Sequence, residues 1–201
     1  MLSDDNLIEN TDQKELIWVA NYAEQNGVDC LNASLLDLGC GNGINTLALS
    51  HHFNIVYGIE PNELLLKESR NNKRKISKLT PNWPGLSKLR FYKGSFLEIP
   101  LKKIDIVSLF DSLNFSSNPY LALDNVFYHL KPGGLVFISE PHEKSEFSND
   151  ILDDSDALKK KLDNLKLTRK SIKKYIKQNK IETIINRETP IEYFLILRKS
   201  L

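Results

Sequence analysis

The sequence predicts an α/β fold: a doubly wound, mostly parallel sheet of about seven strands, closed by an antiparallel hairpin at its C-terminal edge. Three observations predict it. Short apolar runs alternate with longer stretches of helical period along the 201 residues. The first clear run, Leu35-Leu36-Asp37-Leu38, passes directly into Gly39-Cys40-Gly41-Asn42-Gly43 and then into a helical start at Ile44. Near the end, apolar runs at 181–187 and 191–198 flank a Glu188-Thr189-Pro190 turn, the pattern of a hairpin.

Composition sets the class. The chain is long enough for one domain with a sizeable core. Hydrophobic residues make up 41% and charged residues 26%, as in soluble globular proteins. The net charge of +1 provides no overall field to recruit nucleic acid or a membrane surface, so neither is an expected partner. No run approaches the roughly 20 apolar residues of a membrane span. The two cysteines, Cys30 and Cys40, form no C-x-x-C pair. With an acidic, polar start in place of a signal peptide, they predict a cytoplasmic protein.

The elements follow in order. Residues 1–10 read as a polar arm, and 12–26 as a helix with an apolar stripe ended by Gly27. The arm and helix make up 1–33, and 34–201 make up the main body of a single domain. In the first strand, Leu35, Leu36 and Leu38 suit burial on both faces of a parallel sheet. The helix after the glycines runs to about 52. His51 and His52 are adjacent on it and diverge by about 100°, so they read as a solvated helix end and not as metal ligands; no metal site is predicted. The second strand, 55–59, closes with Glu60, and Pro61 opens a helix. That helix carries a basic run, Lys67, Arg70, Lys73, Arg74, Lys75 and Lys78, before a break at 80–85.

The third strand is 89–93, before Gly94-Ser95-Phe96, and the fourth is 104–110, before Asp111-Ser112-Leu113-Asn114. Asn118 caps a helix with Pro119 in its first turn. Lys131-Pro132-Gly133-Gly134 reads as a turn that ends this helix and reverses the chain into an apolar fifth strand. Residues 140–156 form an acidic loop from Glu140 through His142 and Glu143 to Asp156. Residues 157–180 hold ten Lys or Arg and one acid, Asp163, and read as a solvated amphipathic helix, not a nucleic-acid surface.

Asp37-x-Gly39-x-Gly41-x-Gly43, the acidic Glu60 at the end of the second strand and Lys131-Pro132-Gly133-Gly134 before the fifth carry a resemblance. Together they resemble the class I S-adenosylmethionine-dependent methyltransferases, over about 34–140 by motif and over 157–198 by pattern. The glycines depart from the dinucleotide fingerprint G-x-G-x-x-G: counting from Gly39 the sixth position is Ile44, and from Gly41 it is Thr46. The resemblance implies a Rossmann-like methyltransferase fold and S-adenosylmethionine as cofactor. It implies cofactor contacts from Asp37, Gly39, Cys40, Gly41, Gly43, Glu60, Pro61, Ser95, Phe96 and Phe110. Glu60 would take the ribose hydroxyls, 17 residues past Gly43. Helix capping is its competing role. Ser95 occupies the place where the family carries an acid for the adenine amino group. The leading helix often covers the cofactor in the family; packing on the sheet is the plainer expectation.

The predicted function is methyl transfer to a small polar acceptor between the loops after the fourth and fifth strands. Asp111 and Asn114 would orient the acceptor, and His142 would serve as an assisting base. The sequence names neither acceptor nor oligomeric state. Two alternatives remain: a non-catalytic methyltransferase-like binding or partner subunit, and another nucleotide-cofactor Rossmann enzyme.

Overall fold

The computed structural model describes residues 16–141, 168–188 and 192–200. Seven strands form one sheet: β1 (Ser34–Leu38), β2 (Ile55–Glu60), β3 (Leu89–Lys93), β4 (Ile104–Phe110), β5 (Leu130–Pro141), β6 (Glu182–Glu188) and β7 (Glu192–Arg198). Their spatial order is β3-β2-β1-β4-β5-β7-β6. The first five run parallel, while β7 pairs antiparallel with both β5 and β6. The sheet order reverses direction at β1 and β4, where a doubly wound sheet opens a crevice beyond its strand ends.

Helices α1 (Ile17–Gln25), α2 (Ile44–Leu49) and α3 (Glu63–Leu79) pack on one face, and α4 (Pro119–His129) and α5 (Arg169–Gln178) on the other. Strand alternation feeds both cores: Leu35 and Ile106 point to the first cluster, and Leu36, Leu38, Val107 and Leu109 to the second. In α1, Trp18 sets its ring against Phe110, Phe137 and Phe194, with centroids 5.9, 5.8 and 4.7 Å away. The leading helix therefore packs on the sheet. Residues 12–15 of the predicted helix lie outside the described residues, as do 142–167 and the 189–190 turn.

Local rules explain most of the boundaries. Asn118 accepts from the amides of Tyr120 and Leu121, with Pro119 as the first residue of α4. Thr168 and Ser171 cap α5 reciprocally: the Thr168 amide donates to Ser171 Oγ at 2.9 Å and the Ser171 amide to Thr168 Oγ1 at 3.2 Å. Tyr175 of α5 is buried and donates to Asp124 Oδ1 at 2.6 Å, so it offers no stacking surface.

Three expectations are corrected. Helix α3 begins at Glu63, not Pro61. Asn62 caps it by accepting from the amides of Leu64 and Leu65, and a true cap outcompetes a proline that merely fits the first turn. Lys131-Pro132-Gly133-Gly134 is not the chain-reversing turn. The reversal falls at His129 and Leu130, and the four residues lie within β5 as a bulge, since Ile104 pairs with Leu130 and Ile106 with Leu135. Gly133 takes φ 76° there, and Lys131 reaches Asp105 Oδ1 at 2.7 Å. Finally, His51 and His52 are half-buried, not solvated. His51 packs edge-on to Trp83 with centroids 4.1 Å apart, and burial followed by the neighbouring His52 drives its pKa down to about 4.

Candidate functional site

The crevice beyond the carboxyl ends of β1, β2 and β4 holds a cleft of about 450 Å³. Its walls include Gly39, Gly41, Glu60, Pro61, Phe96 and Asp111 from the predicted set. They also include Asn62, Leu65, Ser112 and Phe115, which the sequence reading had not assigned to the cofactor.

The glycine turn owes its shape to β2. The amides of Gly39 and Cys40 both donate to Ile59 O, at 2.9 and 3.1 Å. Gly41 has φ 54°, and a Cβ added to it would meet no protein atom within 4 Å. It would project into space left free beside the backbone. Gly43 is different: at φ 79° its Cβ would come within 2.7 Å of the Phe91 ring and 2.8 Å of Ser69 Cβ. Gly41 thus keeps the backbone open, and Gly43 lets β3 and α3 close in behind it.

Glu60 is 6% exposed. Its Oε2 accepts the Gly41 amide and its Oε1 the Asn62 amide, both at 2.9 Å. The carboxylate therefore ties the glycine turn to the start of α3. Each oxygen keeps a lone pair beyond those bonds, and the group still faces the cleft.

Asp37 lies beneath the turn, 3% exposed, and accepts from Thr46 Oγ1 at 2.6 Å and Ser108 Oγ at 3.0 Å. It braces β1, α2 and β4 from below the cleft. Burial pushes its carboxyl up from 3.8 to about 6; the two hydroxyl bonds oppose that rise and Glu60 adds to it. A carboxyl whose folded pKa is raised lends stability below its unfolded pKa and loses it as pH rises through the folded one. Asp37→Asn removes that titration. Its thermal midpoint, relative to the parent, should therefore move in the variant's favour between about pH 4 and pH 7. Scanning calorimetry of both proteins across that range checks the sign, and a relative midpoint falling with pH would refute it.

The loop after β4 is held from β5. Glu140 was expected in an acidic loop, but it is a strand residue, 1% exposed. Its Oε1 accepts the Ser112 and Leu113 amides at 3.0 and 2.5 Å, and its Oε2 accepts Asn114 Nδ2 at 3.0 Å. Burial pushes its carboxyl up to about 7, opposed by bonds from Leu113, Asn114 and Ser112 and reinforced by Asp111. Within this braced loop Asp111 takes φ 49°, an uncommon conformation for a residue with a side chain. Ser112 lines the cleft, and its hydroxyl is buried with no hydrogen-bond partner among the described residues.

The remaining predicted residues lie outside the cleft lining. Cys40 is buried, and its sulfur would stand 2.9 Å from a Cβ on Gly58. Burial, then Asp37 and Glu60, drive its thiol pKa upward. Ser95 Oγ accepts the Leu97 amide at 3.3 Å. Phe110 packs on Trp18. His142 and Glu143 lie outside the described residues. Asn62 carries a capping signal that the reading of Pro61 as the helix start overlooks, whereas Leu65 and Phe115 give none: an apolar residue that remains 38% or 65% exposed reads in sequence like any core residue.

These features fit an adenosyl cofactor. A carboxylate with spare lone pairs faces the cleft, open space lies before Gly41, and the buried Ser112 hydroxyl lacks a partner.

Comparison with known proteins agrees. Residues 31–189 match a family described as a methyltransferase domain. The ubiquinone biosynthesis O-methyltransferases of several Coxiella burnetii strains are 29% identical over 121 residues, 59% of this chain and 47% of theirs. The chain thus spans about half the length of the curated relatives it matches. Among solved structures, an S-adenosylmethionine-dependent methyltransferase from Aquifex aeolicus superposes with a TM-score of 0.68 at 16% identity, over 98% of this chain and 99% of that one. The magnesium protoporphyrin IX methyltransferase of Synechocystis PCC 6803, solved with bound S-adenosylhomocysteine, gives 0.66 at 15%, over 100% and 89%. The 4+2 cyclase SpnF gives 0.68 at 16%, over 92% and 80%. At such identities these structures show the shared fold.

Proposed function

Because this chain belongs to the S-adenosylmethionine-dependent methyltransferases, we propose that it methylates a small polar acceptor, through oxygen, in front of the loop after β4. The observation that carries this reading is the cleft itself. The glycine turn, Glu60, Asp111 and Ser112 all line it, and Ser112 sits against the turn, its Cβ 2.6 Å from where a Cβ on Gly39 would stand. The cofactor supplies a sulfonium-bound methyl, already activated for in-line attack. The protein has to align the acceptor and exclude water. Gly39 and Gly41 offer backbone, Glu60 offers a carboxylate, and Leu65, Phe96 and Phe115 offer apolar walls. The Ser112 hydroxyl can donate to, or accept from, a polar acceptor. Oxygen as the attacking atom is supported by the O-methyltransferase relatives. An acceptor with an apolar side is supported by Phe115, which is 65% exposed at the cleft.

His142 follows Pro141 at the end of β5 and is our candidate for the base that takes the acceptor proton. Cys30 and Cys40, both buried free thiols, fit a reducing, cytoplasmic setting. Among the described residues no helix is long and apolar enough to cross a membrane.

The test is a screen of hydroxyl-bearing acceptors that follows S-adenosylhomocysteine release. We expect turnover with a hydroxylated acceptor. In His142→Gln we expect turnover to fall about 10²- to 10⁴-fold with cofactor affinity intact. Cofactor binding without turnover on any acceptor would favour the binding-subunit alternative. An unchanged pH–rate profile in His142→Gln would leave alignment as the whole catalytic device.

A further inference from the structure

The outer edge of the sheet carries a second concavity, a groove of about 870 Å³ between α3 and β3. Arg70, Lys73, Arg74 and Lys78 line it from α3 at positions i, i+3, i+4 and i+8, so they share one helical face. Arg90 lines it from β3. No acidic side chain is among the described residues that line it. Five cations therefore meet in a chain whose charges otherwise nearly cancel, at 27 basic against 26 acidic residues.

Three of the five also have a structural role: Arg90 Nη1 donates to Ser87 O and Leu89 O at 2.5 and 2.9 Å. Lys73 Nζ donates to Leu89 O at 2.7 Å and Arg70 Nη2 to Phe91 O at 3.2 Å, capping carbonyls of the edge strand. Arg74, Lys78 and Arg90 are exposed. Bringing them together costs repulsion: burial, then Arg90, lower the Lys73 pKa. A low-dielectric groove lined by one sign of charge concentrates counter-ions of the other sign. Guanidinium forks match phosphate oxygens in pairs, and ammonium groups add point charges.

We propose that this groove binds a small ligand carrying two or more phosphate groups, at a site separate from the methyl-transfer cleft. The groove falls within the roughly 300–1,000 Å³ of small-molecule sites. Nucleic acid is the poorer fit. Trp83 is only 8% exposed, donates its indole N–H to Ser50 Oγ at 3.2 Å and packs on His51, so it presents no face on which a base can stack. The site also touches the cofactor region through α3, because Asn72 Nδ2 donates to Asn42 O at 3.1 Å in the glycine turn.

Calorimetric titration with inorganic tripolyphosphate at about 0.15 M salt tests the site, with adenosine triphosphate and a short single-stranded RNA as parallel arms. One tripolyphosphate site is expected, and it should weaken as salt rises. The double variant Arg74→Glu/Lys78→Glu should weaken it by at least about tenfold, leaving thermal midpoint and S-adenosylhomocysteine affinity unchanged. Both side chains are exposed, so the fold should tolerate the change; Arg74→Gln/Lys78→Gln should give a smaller loss in the same direction. Adenosine triphosphate binding as tightly as tripolyphosphate would identify the phosphates as the recognised group. Absence of tripolyphosphate binding, binding indifferent to both double variants, or binding by RNA alone would overturn the proposal.

Discussion

Gly41→Val should abolish binding of S-adenosylmethionine and S-adenosylhomocysteine and leave the protein folded. The added Cβ meets nothing within 4 Å, so the protein itself does not resist it. It would stand in the cleft that Gly41 lines. The cost to the fold is conformational: φ is 54°, where a β-branched residue is strained by about 1–3 kcal/mol. A domain with about 5–15 kcal/mol of stability can bear that. Ligand binding cannot bear a side chain where backbone contact is needed, and a loss beyond about 100-fold, near 2.7 kcal/mol, is expected. Gly43→Val provides the contrast. Its Cβ would strike Phe91 and Ser69 at 2.7 and 2.8 Å, so the damage there is to the fold. Calorimetry beside a thermal melt separates the two outcomes. A Gly41→Val protein that binds S-adenosylhomocysteine like the parent would remove the glycine turn from the site, and NAD binding in the parent would point to a different nucleotide cofactor.

The turn was legible in the sequence because its constraint is local. A buried strand must stop, reverse into a helix and leave its backbone bare, and only glycines at alternate positions do all three. Asn118 with Pro119 was legible for the same reason, as a cap and first turn written in adjacent residues. The misread segments are those where a distant partner decides. Pro61 and Lys131-Pro132-Gly133-Gly134 both carry turn chemistry. The competing Asn62 cap displaced one, and pairing with β4 drew the other into a bulged strand. Glu140 looked like one acid among many, because its role depends on amides 26 to 28 residues earlier in the chain. The basic run on α3 gave its helical face but not its groove, since Trp83 arrives from within the break at 80–85 and Arg90 from beyond it. Fold and glycine turn are thus encoded in short windows, while the loop after β4 is positioned from across the sheet.

Glu60→Ala should weaken S-adenosylhomocysteine binding by about 10- to 150-fold, roughly 1.5–3 kcal/mol for a charge-assisted contact. Two roles compete for this residue, and the geometry sharpens the contest. Its oxygens already accept the Gly41 and Asn62 amides, so it braces the turn and the start of α3 without any ligand. It also lines the cleft and retains lone pairs for a ribose diol. Removing it would therefore orphan two amides as well as a ligand contact, and a loss of affinity alone does not assign the role. An analogue without the ribose hydroxyls does. If Glu60 binds the diol, Glu60→Ala should weaken that analogue distinctly less than S-adenosylhomocysteine, because the analogue never made the diol contact and loses only what the bracing supplies. If Glu60 only braces the turn, the variant should lose the analogue by the same factor as S-adenosylhomocysteine, and its melting temperature should fall in step. Equal losses for the two ligands would retire the ribose role and leave Glu60 as the clamp between the glycine turn and α3.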